Sequence, residues 1–197
     1  MADIITIPQS ESKFKPHPEG QFVAQCVDSI DLGQKVEEFP GTPRKLSQKL
    51  ALIFRTGELN PDTGDIIDIA AEFSVSMNEK ANMRKFLESW RGKAYTDAEI
   101  KTGAPQIHKL VNNFGLISVE QKPSKAGRMY ARIISITGVP KAMASHLPTF
   151  KPYVRADYWA DRKMDYAAGV KAFHAEFSAP APMEDFDTGA VSDDLPF

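Results

Sequence analysis

The sequence predicts a mainly β domain with a helical insert and an acidic C-terminal tail, and three observations lead there. Residues 21–77 alternate apolar and polar side chains with a period of two, residues 78–114 change to a period near 3.6, and residues 116–137 return to two. Hydrophobic residues make up 42% of the 197 and charged residues 25%, as in an ordinary globular domain, and no run of about eighteen apolar residues is available to span a bilayer. Acids collect at the end: residues 179–197 hold Glu184, Asp185, Asp187, Asp193 and Asp194 with no Lys or Arg, so the formal charge of −2 leaves +3 on residues 1–178. A mildly basic body with an acidic tail suits a protein that handles nucleic acid, because the tail can compete with phosphates for the same cations.

Residues 1–19, with Pro8, Pro16 and Pro18, read as an extended arm in which Lys13, Phe14 and Lys15 could meet a phosphate backbone. A first strand is expected over Gln21 to Leu32, where Phe22, Ala24, Cys26, Ile30 and Leu32 share one parity, followed by a long loop over Gly33 to Arg44. Lys45 to Thr56 predicts a second strand with Leu46, Leu50, Leu52 and Phe54 facing a core and Lys45, Ser47, Lys49, Ala51, Ile53 and Arg55 on an outward, partly basic face. Asn60-Pro61-Asp62-Thr63-Gly64 is a turn signal, leading into a third strand over Asp65 to Met77. Asn78 is the expected N-cap of a helix over 79–90 that turns Met83, Phe86, Leu87 and Trp90 inward. Thr96-Asp97-Ala98-Glu99 has the capping-box pattern of a short second helix, and Pro105 could open a third with Ile107, Leu110 and Val111 inward. Leu116 to Lys122 and Arg128 to Thr137 complete the strands around the loop Pro123-Ser124-Lys125-Ala126-Gly127.

Three strands, a helical segment and two strands is the order of the five-stranded Greek-key OB barrel, with a larger insert between strands three and four than the minimal fold has. The expected organisation is an extended arm over 1–19, an OB-fold domain over 20–138, a partly helical extension over 139–178 and a disordered acidic tail over 179–197 that begins Ala179-Pro180-Ala181-Pro182. In the extension, Trp159, Tyr166, Val170, Phe173 and Phe177 form a rough stripe on a helix over 157–177. The N-terminal residues have no basic, apolar secretory pattern, and the single cysteine, Cys26, excludes an internal disulfide, so a cytoplasmic compartment is expected.

Binding a single strand without sequence preference needs cations for phosphates and rings for bases. On an OB barrel these belong to strands two and three and to the loops joining strands one to two and four to five. The candidates there are Lys35, Phe39 and Arg44 in the first loop; Lys45, Lys49 and Arg55 on strand two; Lys122, Lys125 and Arg128 about the later loop; and Tyr130 with Arg132 on the last strand. Phosphate-binding Gly-x-x-x-x-Gly-Lys, His-Glu-x-x-His and Gly-x-Ser-x-Gly patterns are missing, and His17, His108, His146 and His174 lack ligand spacing, so neither catalysis, a cofactor nor a metal is expected. Two alternatives stand beside this reading. One is a metal-dependent nuclease using Pro61-Asp62 with Glu120-Gln121-Lys122, and the other is an adaptor that binds peptides.

The tip Asp193-Asp194-Leu195-Pro196-Phe197 closely resembles the acidic, Pro-Phe-ending C-terminus of bacterial single-stranded DNA-binding proteins, and the body resembles the bacteriophage members that carry such a tail on one OB fold. The resemblance implies a non-enzymatic protein that coats single-stranded DNA in phage replication, recombination or repair. It also implies that Asp193, Asp194, Leu195, Pro196 and Phe197 dock replication and recombination proteins. The long insert and residues 139–178 depart from the bacterial pattern, which leaves the oligomeric state open.

Overall fold

A computed structural model of the chain describes residues 15–124 and 127–178, apart from the side chains of 177 and 178. The arm's Lys13 and Phe14, the loop residue Lys125, the Phe177 side chain and the whole acidic tail lie outside the described residues. Five strands run β1 Gly20–Glu37, β2 Lys45–Leu59, β3 Ile66–Ser74, β4 Phe114–Pro123 and β5 Met129–Gly138. All adjacent pairs are antiparallel, in the order β3-β2-β1-β4-β5, and β3 also approaches β5. Helices α1 Asn82–Arg91 and α2 Asp97–Lys101, with a 3-10 turn at Ile107–Leu110, lie between β3 and β4. Helix α3, Tyr158–Ser178, follows β5 after a further 3-10 turn at Lys141–His146.

β1 is longer than its alternation suggests, continuing five residues past Leu32 to Glu37. Gly20–Gln25 pair with β4, and from Gln25 onward the strand pairs with β2. Register shifts at Cys26/Asp28 and Asp31/Gly33 bend the strand between these neighbours. The first shift also reverses its faces. Ala24 and Cys26 point into one apolar cluster with Leu50, Leu52, Phe54, Ile69, Ile117, Val119 and Ile136, whereas Ile30 and Leu32 point into a second with Ala51, Ile53 and Trp159. A single sequence parity therefore serves two faces.

The second cluster corrects the expectation for β2, because its second face is also core. Ala51 and Ile53 are fully or almost fully buried beneath Trp159, and Tyr153 and Tyr166 pack beside them. Fully burying a large apolar side chain stabilises by about 1.5–3 kcal/mol, so this layer holds the 139–178 extension firmly to the sheet.

The β2–β3 turn forms as its sequence indicates: Asp62 N–H donates to Asn60 Oδ1 at 2.9 Å, Asn60 N–H to the Asp65 carbonyl at 2.7 Å, and Gly64 takes φ +74°. α1 begins three residues later than the Asn78 cap would place it, with Ala81 at its N-cap, because Asn78 Oδ1 accepts from Lys80 N–H in a preceding turn. Its inward stripe is Met83, Leu87 and Trp90, with Phe86 partly covered. Trp90 Nε1 donates to the Phe114 carbonyl at 2.9 Å and Ser89 Oγ to the Ile136 carbonyl at 2.6 Å, tying α1 to β4 and β5. Gly115 permits this approach, since a Cβ there would meet Trp90 Nε1 at 2.8 Å. The Thr96–Glu99 capping box is present in full, while the helix expected after Pro105 is a single 3-10 turn.

Candidate functional site

Strand register assigns the charged side chains to faces. Glu120 pairs with Arg132 and Lys122 with Tyr130, opposite in facing to the buried Val119 and its partner Ile133. Their side chains therefore stand on the outer face of the sheet. Across β1 that face continues to Lys45, Lys49 and Arg55 of β2, the residues that share parity with Ala51 and Ile53.

At the β4–β5 end the outer face is open. Tyr130 is 42% exposed, with Lys122 across from it and Arg128 and Arg132 two residues to either side. The connection is held by Ser124 N–H donating to the Arg128 carbonyl at 2.8 Å, by Gly127 N–H donating to the Ser124 carbonyl at 2.9 Å, and by Arg128 N–H donating to Ser124 Oγ at 3.1 Å. Lys122 Nζ lies 3.0 Å from Glu120 Oε1, and Arg132 Nε donates to the same oxygen at 2.6 Å. The Lys122 hydrogen bond, joined by Arg132 against some desolvation, holds the Glu120 carboxyl below its ordinary range. Arg128 makes no side-chain ion pair among the described residues and is exposed. Ile134, 52% exposed, adds an apolar neighbour on this strand that charge-based sequence reasoning passed over.

At the β1–β2 end the cations are occupied. Lys35, expected in a loop, lies on β1 with Nζ 4.9 Å from the Tyr166 ring centroid. Arg44 Nη2 is 2.7 Å from Glu176 Oε2, and its guanidinium lies 5.6 Å from the Phe173 ring. Lys45 Nζ sits 5.8 Å from the ring of Phe39, which is 51% exposed at the loop tip.

Two candidates do not present free cations outward. Lys49 pairs with Glu37 and donates to Ser74 Oγ at 2.7 Å. Burial works against the charged Glu37, but hydrogen bonds from Lys49 and Ser74 outweigh it and keep that carboxyl below its ordinary range. Arg55 is 5% exposed; Nε and Nη2 donate to the two Asp68 oxygens, each at 2.7 Å, and Nη1 to the Lys151 carbonyl at 2.6 Å. The Asp68 bonds raise the Arg55 pKa further. Its role is to fasten residues 151–152 to the sheet, which parity on β2 alone could not reveal.

The two carboxylates of the nuclease pattern are each engaged by cations: Asp62 Oδ2 is 3.3 Å from Lys15 Nζ in the β2–β3 turn, and Glu120 is bonded as described. Among the described residues no group of three or more His, Cys, Asp or Glu is placed to hold a metal ion, and no helix is long and apolar enough to cross a membrane. Comparison with protein-family models and with curated protein sequences finds no match.

Proposed function

We propose that the protein binds single-stranded DNA without sequence preference, through the outer face of an OB-type barrel, and performs no catalysis on it. The sheet order β3-β2-β1-β4-β5, with β3 and β5 drawn together at its edges, supports a Greek-key barrel whose seam lies between those strands. The observation that carries the functional reading is the β4–β5 face, where the exposed Tyr130 ring stands among Lys122, Arg128 and Arg132. A ring can stack on a base while the flanking cations take phosphates. The Glu120 pairs do not oppose this, because exposed ion pairs are worth about 0–1 kcal/mol and exchange readily for phosphate. In this proposal the chain coats single-stranded DNA during phage replication or recombination in the host cytoplasm, and its acidic tip recruits partner proteins.

The test is fluorescence anisotropy with labelled oligo(dT) and a duplex of equal length over a salt series. Tyr130→Ala should weaken oligo(dT) binding by about 1 kcal/mol, near fivefold, the lower end of the range for one stacked base. Arg128→Glu should weaken it further at low salt. No binding of wild type to oligo(dT) at low salt, or equal preference for duplex, would overturn the proposal.

A further inference from the structure

α3 crosses the outer face on two kinds of anchor. Near its start the attachment is built on a buried ring: Trp159 is 3% exposed among Ile30, Leu32, Ala51 and Ile53, and beside it Arg162 Nη2 donates to Glu72 Oε2 at 2.9 Å. Beyond Gly169 the described attachment is of another kind, with the Phe173 ring on the Arg44 guanidinium and the Glu176 carboxylate 2.7 Å from the same group. These are the chemical types that a single nucleic-acid strand offers, a flat ring and an anionic oxygen. A base and a phosphate would take the same two positions on Arg44. Between the two anchors sits Gly169, the least favourable helix residue after proline. Nothing lies within 4 Å of where its Cβ would be, so packing does not require a glycine there.

We infer that the segment of α3 after Gly169 is a latch that occupies Arg44 in place of nucleic acid and lifts at Gly169 to let a bound strand extend onto Arg44 and the neighbouring Phe39 and Lys45. The inference rests on the nucleic-acid reading above and adds its regulation: the β4–β5 face is the open part of the site and the β1–β2 end is the gated part. Trp159 stays in place when the latch lifts, so the second apolar cluster remains covered.

Two substitutions in the full chain move the latch in opposite directions without changing charge. Phe173→Ala removes the ring and should tighten oligo(dT) binding by roughly threefold to tenfold at low salt, the range for releasing a cation–ring contact and weakening an exposed ion pair. Gly169→Ala stiffens the helix in open space and should weaken binding by about twofold to fivefold. Both changes should vanish in an Arg44→Ala background. In wild type, oligo(dT) should speed amide hydrogen exchange in residues 170–176 and leave 158–163 protected.

Tryptophan emission showing Trp90 and Trp159 still buried confirms that each variant is folded. Tight binding by Phe173→Ala where wild type binds weakly would support the latch in its strongest form. Wild-type affinity in both variants, or shifts of the same sign, would overturn the latch and leave the β4–β5 face standing. Failure of wild type and Phe173→Ala alike to bind would remove the nucleic-acid reading and the latch with it.

Discussion

Asp68→Asn tests whether Arg55 is a structural cation. The Arg55 side chain is 7% exposed and that of Asp68 21%, with both guanidinium–carboxylate bonds at 2.7 Å. Breaking a fully buried pair by removing one partner costs about 3–5 kcal/mol, because the remaining charge is left without compensation. Here the Asp68 edge reaches water, and the Lys151 and Pro152 carbonyls still accept from Arg55 Nη1 at 2.6 and 3.2 Å, so the cost falls at or just below the bottom of that range. Asp68→Asn should therefore lose about 2–3 kcal/mol in urea unfolding; with a slope near 2 kcal/mol/M the midpoint falls by roughly 1–1.5 M. Arg55→Met combined with Asp68→Leu should recover much of the loss, since an apolar replacement of a buried pair is often neutral. Folded Arg55→Met should bind oligo(dT) like wild type. A loss below about 0.5 kcal/mol for Asp68→Asn, or a specific loss of DNA affinity in folded Arg55→Met, would refute the assignment.

Trp159→Ala should cost about 3–5 kcal/mol in the same unfolding assay, because it opens a cavity over Ile30, Leu32, Ala51 and Ile53, whereas Phe173→Ala at the latch should cost well under half of that. His17 gives the pH dependence. It is 2% exposed, its Nδ1 lies 2.9 Å from the Pro18 carbonyl and its Nε2 2.6 Å from Thr56 Oγ1. Burial lowers its pKa below 6.5, against opposing contributions from the Pro18 carbonyl and from Glu58 and Asp68. The unfolded chain then binds the proton more readily, so the contribution of His17 is complete above about pH 6.5 and is lost as pH falls below it. His17→Gln should flatten the fall in unfolding free energy below about pH 6.5, and an unchanged profile would show that His17 is not its source.

The strand periods, the β2–β3 turn and the Thr96 capping box were legible because each is a local pattern with a local cause. Three features were not. Cys26 and Ile30 share parity in the sequence but face different clusters, since the register shift after Cys26 is set by where β1 leaves β4 for β2. Ala51 and Ile53 looked like part of a basic outer face because the residues that bury them lie about a hundred positions away, at Tyr153 and Trp159. The α3 stripe was recognised at Trp159, Tyr166, Val170 and Phe173, but its length gave no sign that Arg44 and Lys35 would be its partners. Of the candidate site, the Tyr130–Arg132 face could be read directly, since residues two apart on a strand share a face where no register shift falls between them. The acidic tip lies outside the described residues, so its reading rests on its sequence alone.

On the outer face Arg44, Lys49, Arg55, Lys122 and Arg132 are paired with carboxylates, and the depth of each pair decides what it can do. Arg55–Asp68 is covered by residues 151–153 and Lys49–Glu37 is largely buried beside Ser74, and exchanging either carboxylate for phosphate would first require that cover to open. Arg132–Glu120, Lys122–Glu120 and Arg44–Glu176 lie at the surface, where a phosphate can replace the carboxylate at little cost. Three exchangeable cations at the β4–β5 end, Lys122, Arg128 and Arg132, give a log–log salt slope of roughly −2 for a single strand at about −0.7 per phosphate. With Arg44 released by the latch and Lys45 reached beside it the slope steepens to roughly −3.5. A wild-type slope near the first value and a Phe173→Ala slope near the second would separate the open part of the site from the gated part, whereas two equal slopes would place every contacted phosphate on one of them.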